Sequence, residues 1–335
     1  MKTWISSAFL SFIILCSTGC LARPYDPQKV EQVLNTAHAL YKDTNAGANA
    51  DYIPALAKVD SSLFAIAIVT ADGQVFTQGD IDATFSIQSI SKVFTLALAM
   101  EQQGSAAIVD KIGVNATGLP FNSVAAIELN QDRSVNPLVN AGAMATVSLL
   151  EGDKAQQKWQ SIATWYDQFA GRELAVMNEV YQSESATNGH NLAIAELLKS
   201  YDRFYGDVNM NLDIYTRQCS VGVTTKDLAM MASVLANGGT HPVTGEALMT
   251  AKNVQRVLAV MATAGLYETS GDWAFQVGLP AKSGVGGGII AVMPGKFAIA
   301  AFSPKLDEAG NSVRAQRAID YIADKANANV FSHLD

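Results

Sequence analysis

The sequence predicts an α+β fold in which both chain ends build one antiparallel sheet flanked by helices, with a helical subdomain inserted between them. Three observations carry this reading. Near the N-terminal end, "LFAIAIVTADGQVFTQGD" sets two β-rich runs around Ala71-Asp72-Gly73, a strong hairpin signal. Near the C-terminal end, "GGIIAVMPGKFAIAAFSP" repeats the design with Pro294-Gly295-Lys296 as its turn. Between residues 89 and 270 strand signals are scarce, and helical runs separated by Gly, Asn and Pro take their place.

The elements follow in order. "DPQKVEQVLNTAHALYKDT" opens on Asp-Pro and carries Val30, Val33, Leu34, Ala37 and Leu40 at helical spacing. After the first hairpin, helices are expected at 91–103, 138–150, 155–170, 190–204, 224–237 and 253–263. "TTKDLAMMASVLANGG" has the clearest boundaries, with Thr capping at the start and Gly at the end. The last helix, "VRAQRAIDYIADKANA", gathers Val313, Ala318, Ile319 and Ile322 on one side. The terminal helices are expected to cover the sheet. No internal repeat, low-complexity tract or linker is visible, so residues 24–335 read as a single domain whose helical part runs roughly 89–270.

Apolar residues make up 49% of the 335 and charged residues 16%, enough to bury a large core. The net charge is −8, and no run of Lys or Arg offers a nucleic-acid surface. The four histidines, His38, His190, His241 and His333, are scattered, and no CxxC occurs, which argues against a zinc site.

Residues 1–20, "MKTWISSAFLSFIILCSTGC", place Lys2 before an apolar stretch and then small residues, the layout of a secretory signal peptide. "STGC" ending at Cys20 also resembles a lipoprotein cleavage box, with cleavage after Ala22 as the rival. The expectation is export, either to the periplasm or to a membrane through a lipid on Cys20. Cys16 and Cys20 belong to the leader, so Cys219 alone remains and no internal disulfide can form.

The chemistry starts from "FSIQSISKVF", residues 85–94. Only Ser89 stands three residues before Lys92, which on a helix sets hydroxyl and amine on one face, one turn apart. A serine needs a base, and a lysine becomes one when burial lowers its pKa. A helix N-terminus adds free N–H groups for a carbonyl oxygen. Ser91 points away from that face, so Ser86 and Ser91 read as structural. Set against this, S-x-x-K occurs by chance roughly once in a chain of this length, and an N-cap serine with a solvated lysine is the ordinary alternative. A second signal tips the balance. "AKSGVGGGII" puts Lys282-Ser283-Gly284 before a β-run, and serine-active penicillin-recognising enzymes pair S-x-x-K with K-[ST]-G on a neighbouring strand.

Longer stretches name a family. "DYIPALA", "FSIQSISKVF", "NPLVNAGAM", "YQSESATNGHNLAIAELL", "LDIYTRQCSVGVT", "AGLYETSGDWAFQVGLPAKSGVGGG" and "SPKLDEAGNSVR" resemble the serine-dependent glutaminases, in that family's order, over roughly residues 50 to 315. The resemblance implies a β-lactamase/transpeptidase-like fold and hydrolysis of L-glutamine to L-glutamate and ammonia through a γ-glutamyl-serine ester, with no cofactor. It implies Ser89 as nucleophile, Lys92 as base and Tyr267 as a proton-transfer partner. Val285 would complete an oxyanion hole with Ser89, and Tyr52, Asn140, Glu184, Asn191 and Tyr215 would contact the substrate. Taken singly, each Asn reads as a cap or turn residue, Glu184 as a surface charge and Tyr267 as a packing tyrosine. A homo-oligomer, dimer or tetramer, is also implied. The alternatives are a β-lactamase or penicillin-binding-type acyl hydrolase, from which the absent S-D-N triplet departs, and a glutamine-binding protein without catalysis.

Overall fold

The computed structural model describes residues 26–332. The expected leader, with Cys16 and Cys20, lies outside the described residues. The first helix, Pro27–Tyr41, starts as the sequence suggests: Pro27 opens it and the Asp26 carboxylate accepts from Gln28 N at 3.1 Å.

Seven strands follow among the described residues, β1 (Ala65–Thr70), β2 (Val75–Gly79), β3 (Phe85–Ser86), β4 (Gly222–Val223), β5 (Ala281–Ser283), β6 (Gly288–Met293) and β7 (Phe297–Phe302). Five form one antiparallel sheet in the order β2-β1-β7-β6-β5, so the two terminal hairpins meet at the β1–β7 pair. β3 and β4 pair separately. Strands β1, β6 and β7 are buried on both faces, and their residues alternate between two cores. Ile66, Ile68, Ile289, Ala291, Ile299 and Ala301 pack with Leu34, Ala37, Ala318, Ile319 and Ile322 of the terminal helices Pro27–Tyr41 and Val313–Lys325. Ala67, Val69, Ile290, Val292, Ala298 and Ala300 face the larger core with Leu228, Met231 and Leu235. Each fully buried Val, Leu or Ile contributes about 1.5–3 kcal/mol.

The terminal helices therefore cover one face only. The second face is covered by Thr225–Ala236, a helix from the middle of the chain. Its capping box pairs Thr224 with Asp227, and Arg172 grips the same carboxylate with Nε at 2.7 Å and Nη2 at 2.5 Å. The other expected helices are present as Ser91–Gln103, Asn140–Leu149, Ala155–Ala170, Gly189–Ser200 and Ala251–Ala264. Among the helices that escaped the sequence reading, Asn178–Ala186 and Val208–Cys219 are the longest. They bury Glu184, Asn211, Thr216 and Gln218, and polar residues on the buried face erase the apolar period.

Candidate active site

Ser89 lies in a short 3-10 turn, Gln88–Ile90, that runs into helix Ser91–Gln103. The serine is buried, and its side chain makes no capping bond. Gln88 holds φ at +48°, a left-handed conformation costly for a side-chain-bearing residue, of the kind that clusters at functional sites. The turn is tied down from both sides. Ile87 N donates to Val221 O at 2.8 Å, and the Ser91 hydroxyl donates to Gln88 O at 2.6 Å. Ser91 thus shapes the turn, and Ser86 Oγ accepts weakly from Gln88 Nε2 at 3.4 Å.

The glycines after Lys282 explain how β5 comes so close. A Cβ on Gly284 would stand 2.9 Å from Ile87 O and 3.3 Å from Ser89 N, and one on Gly286 would stand 2.5 Å from Ser86 O. Lys282 and Ser283 lie within β5, an edge strand, and the Val285 N–H just beyond has no hydrogen-bond partner among the described residues. An edge-strand N–H and the N–H groups at the start of a helix are two kinds of backbone donor that an oxyanion hole can use.

Lys92 follows one turn after Ser89, fully buried, and burial pulls its pKa from 10.5 down to about 8. Its Nζ donates to Asn140 Oδ1 at 2.7 Å. Tyr267, also buried, donates its hydroxyl to Ser283 O at 3.4 Å, and Ser89 is near enough to act on the ionisation of its phenol. Burial pushes its phenol up to about 12, so it is neutral and able to donate near pH 7. Its φ of +58° makes it the second left-handed residue of the site.

The remaining residues expected at the site converge on the same place. Asn140 Oδ1 also accepts from the Tyr215 hydroxyl at 3.2 Å, while Asn140 Nδ2 donates to Asn191 Oδ1 at 3.0 Å. Glu184 is buried and accepts from Gln88 Nε2 at 3.1 Å. Burial raises its carboxyl to about 7, against the pull of Gln88 and Lys92. Tyr52 is 51% exposed, with its ring at the entrance. Partial burial, then Tyr267 and Glu184, raise its pKa, which sets it near those two groups. An open cleft of about 840 Å³ adjoins, lined by Asp51, Tyr52, Phe121, Glu268 and Val285. Phe121 packs on Tyr267 with ring centres 4.9 Å apart.

Two residues gained roles that sequence reasoning had not assigned. Gln88 joins the serine's turn to Glu184, and nothing in the sequence marked it except its place beside Ser89. Lys282 was visible in the K-S-G motif, but its place over Tyr267 was not. Chemically, the arrangement offers a buried hydroxyl, an amine able to lose its proton near neutrality, a phenol donor and a carboxylate for a cationic group. It suits acyl transfer to a serine from a small zwitterionic substrate.

Comparison with known proteins gives the same direction. The family model described as glutaminase matches residues 47–331. A glutaminase of Colwellia psychrerythraea is 69% identical over 302 residues, covering 90% of this chain and 97% of that protein. A glutaminase of Brucella canis is 54% identical over 303 residues, covering 90% and 96%. Among solved structures, the probable glutaminase ybaS aligns at TM-score 0.91 and 51% identity, covering 92% of this chain and all of that one (100%). A probable glutaminase from Bacillus subtilis complexed with 6-diazo-5-oxo-L-norleucine aligns at TM-score 0.81 and 30% identity, covering 93% and 99%.

Proposed function

The chain belongs to the glutaminase family, an amidohydrolase family that converts L-glutamine to L-glutamate and ammonia, and on that premise we propose that Ser89 is the nucleophile. The observation that carries this is the buried Ser89 in the turn that opens its helix, one turn before the buried Lys92, whose Nζ donates to Asn140 Oδ1 at 2.7 Å and whose pKa burial lowers to about 8.

Neutral Lys92 accepts the Ser89 proton as Oγ bonds to the side-chain amide carbon, and the carbonyl oxygen takes the charge between the N–H groups of Ser89 and Val285. The C–N bond then breaks. Tyr267 donates to the leaving nitrogen, recovers its proton from the Lys92 ammonium, and ammonia departs. Water attacks the γ-glutamyl ester with Lys92 again as base, and the proton returns to Ser89 Oγ as glutamate leaves. Glu184 faces the α-ammonium. Asn140, Asn191 and the hydroxyls of Tyr52 and Tyr215 supply donors to the α-carboxylate and partners to the amide.

The diazo ketone 6-diazo-5-oxo-L-norleucine tests the assignment. Incubation should attach it to the peptide carrying Ser89, with protection by glutamine. Attachment elsewhere would remove Ser89 from the nucleophile's place. A penicillin should label nothing, and labelling would favour the lactam-directed alternative.

The leader supports export, and the mass of the mature N-terminus distinguishes lipid on Cys20 from cleavage after Ala22. Assembly as a dimer or tetramer is part of the same reading, tested by light scattering across protein concentration.

A further inference from the structure

Asn140 touches the base as well as the substrate side of the site. Its Oδ1 accepts from Lys92 Nζ at 2.7 Å and from Tyr215 at 3.2 Å, and its Nδ2 donates to Asn191 Oδ1 at 3.0 Å. These partners fix the amide's orientation, because an ammonium offers only donors and the oxygen must face it. Both lone pairs of Oδ1 are then occupied, and one N–H remains for substrate. Asn140 is itself buried at the start of helix Asn140–Leu149.

The other groups facing Lys92 come from three elements. Glu184 lies on helix Asn178–Ala186, Cys219 on helix Val208–Cys219, and Lys282 on β5, with the Tyr215 ring centre 5.9 Å from Nζ. None of them is recorded in hydrogen-bond contact with Nζ among the described residues. The neighbour in direct contact is neutral.

We propose that Asn140, besides contacting substrate, sets the ionisation of Lys92. A neutral acceptor here orients the amine and leaves it free to lose its proton, where a carboxylate would hold it as a cation. This rests on the reading of Lys92 as the base. The physical ground is charge: an opposite charge within about 4–6 Å raises a lysine's pKa by roughly 1–3 units, and each unit removes about nine-tenths of the neutral amine below the midpoint. An amide oxygen gives a hydrogen bond without that penalty.

Two near-isosteric variants should move the alkaline rise of kcat in opposite directions. Asn140→Asp should shift its midpoint upward by about one unit or more. Turnover at pH 7 should fall by about tenfold or more and recover as the pH is raised toward 10. Asn140→Leu removes the acceptor, disfavours the ammonium and should move the midpoint below that of the unaltered enzyme, with a higher KM from the lost substrate contact. A substrate contact alone predicts unchanged midpoints with lower amplitude, and that result in either variant would overturn the proposal. Should the Asp variant not fold, the downward shift in the Leu variant decides. If the unaltered enzyme shows no alkaline rise and Lys92→Met retains turnover, the lysine-base reading falls first and takes this inference with it.

Discussion

The Nζ of Lys282 lies 4.0 Å from the centre of the Tyr267 ring, held there by the carbonyls of Gly265 at 2.9 Å and Ser283 at 2.7 Å. Burial and the nearby Lys92 push its pKa well below its ordinary value, and the two carbonyls can accept N–H bonds from either protonation state. Tyr267 is thereby braced in its left-handed conformation opposite Ser89.

Lys282→Met should remove that brace. Met keeps much of the bulk but removes the buried hydrogen bonds to Gly265 O and Ser283 O, a change of about 1–3 kcal/mol, so kcat is expected to fall by roughly 10- to 100-fold with a smaller change in KM. Steady-state kinetics check this, and an equal loss in both parameters would mean a general collapse of the pocket.

Ser89→Ala should abolish ammonia release from glutamine with the fold intact by circular dichroism. Ser91→Ala should leave turnover within a few-fold and cost about 1 kcal/mol of stability, since it loses one buried bond to Gln88 O. Near-normal turnover in the Ser89 variant would sink the covalent mechanism.

Gly284→Ala tests the closeness of strand and nucleophile turn. The new methyl would press on Ile87 O, so strand or turn must move by a few tenths of an ångström. Overpacking of this kind typically costs about 1–3 kcal/mol, and loss of turnover is expected beside a lowered melting temperature. An active, equally stable variant would show that the turn yields freely.

The pH dependence has a definite sign. Glu184, near 7, must lose its proton to hold an α-ammonium, and Lys92, near 8, must lose one to act as base. Activity should therefore rise from pH 6 to 9. Bound ammonium lowers the Glu184 pKa, so the lower ionisation should appear in kcat/KM and fade from kcat. A flat profile between about pH 6 and 9 would refute a lysine base.

Lys92→Met should be inactive and more stable. The folded-state pKa lies below 10.5, so the ammonium form costs stability below pH 8, and the cost disappears as pH rises from about 8 to 10.5. The gain at pH 7 is on the order of 3 kcal/mol. Asn140 Oδ1 keeps its bond from Tyr215 and is not orphaned. Urea denaturation at pH 7 measures the change, and destabilisation would mean that Lys92 serves packing.

The sequence by itself determined what short-range physics controls. Turn residues placed both terminal hairpins, apolar spacing placed six of the central helices to within a few residues, and a three-residue offset joined Ser89 to Lys92. Motif resemblance then supplied the identities of Tyr52, Asn140, Glu184, Asn191, Tyr215, Tyr267 and Val285 without their geometry. Tertiary structure alone decided that Gln88 reaches Glu184, that Asn140 stands between Lys92 and Asn191, and that Lys282 lies over Tyr267. It also decided that Ser89 precedes its helix in a strained turn without capping it. The reason is physical: spacing along a chain sets which face a side chain occupies. The dielectric around it, and the partner across a gap, depend on segments far apart in sequence that meet only when the core closes.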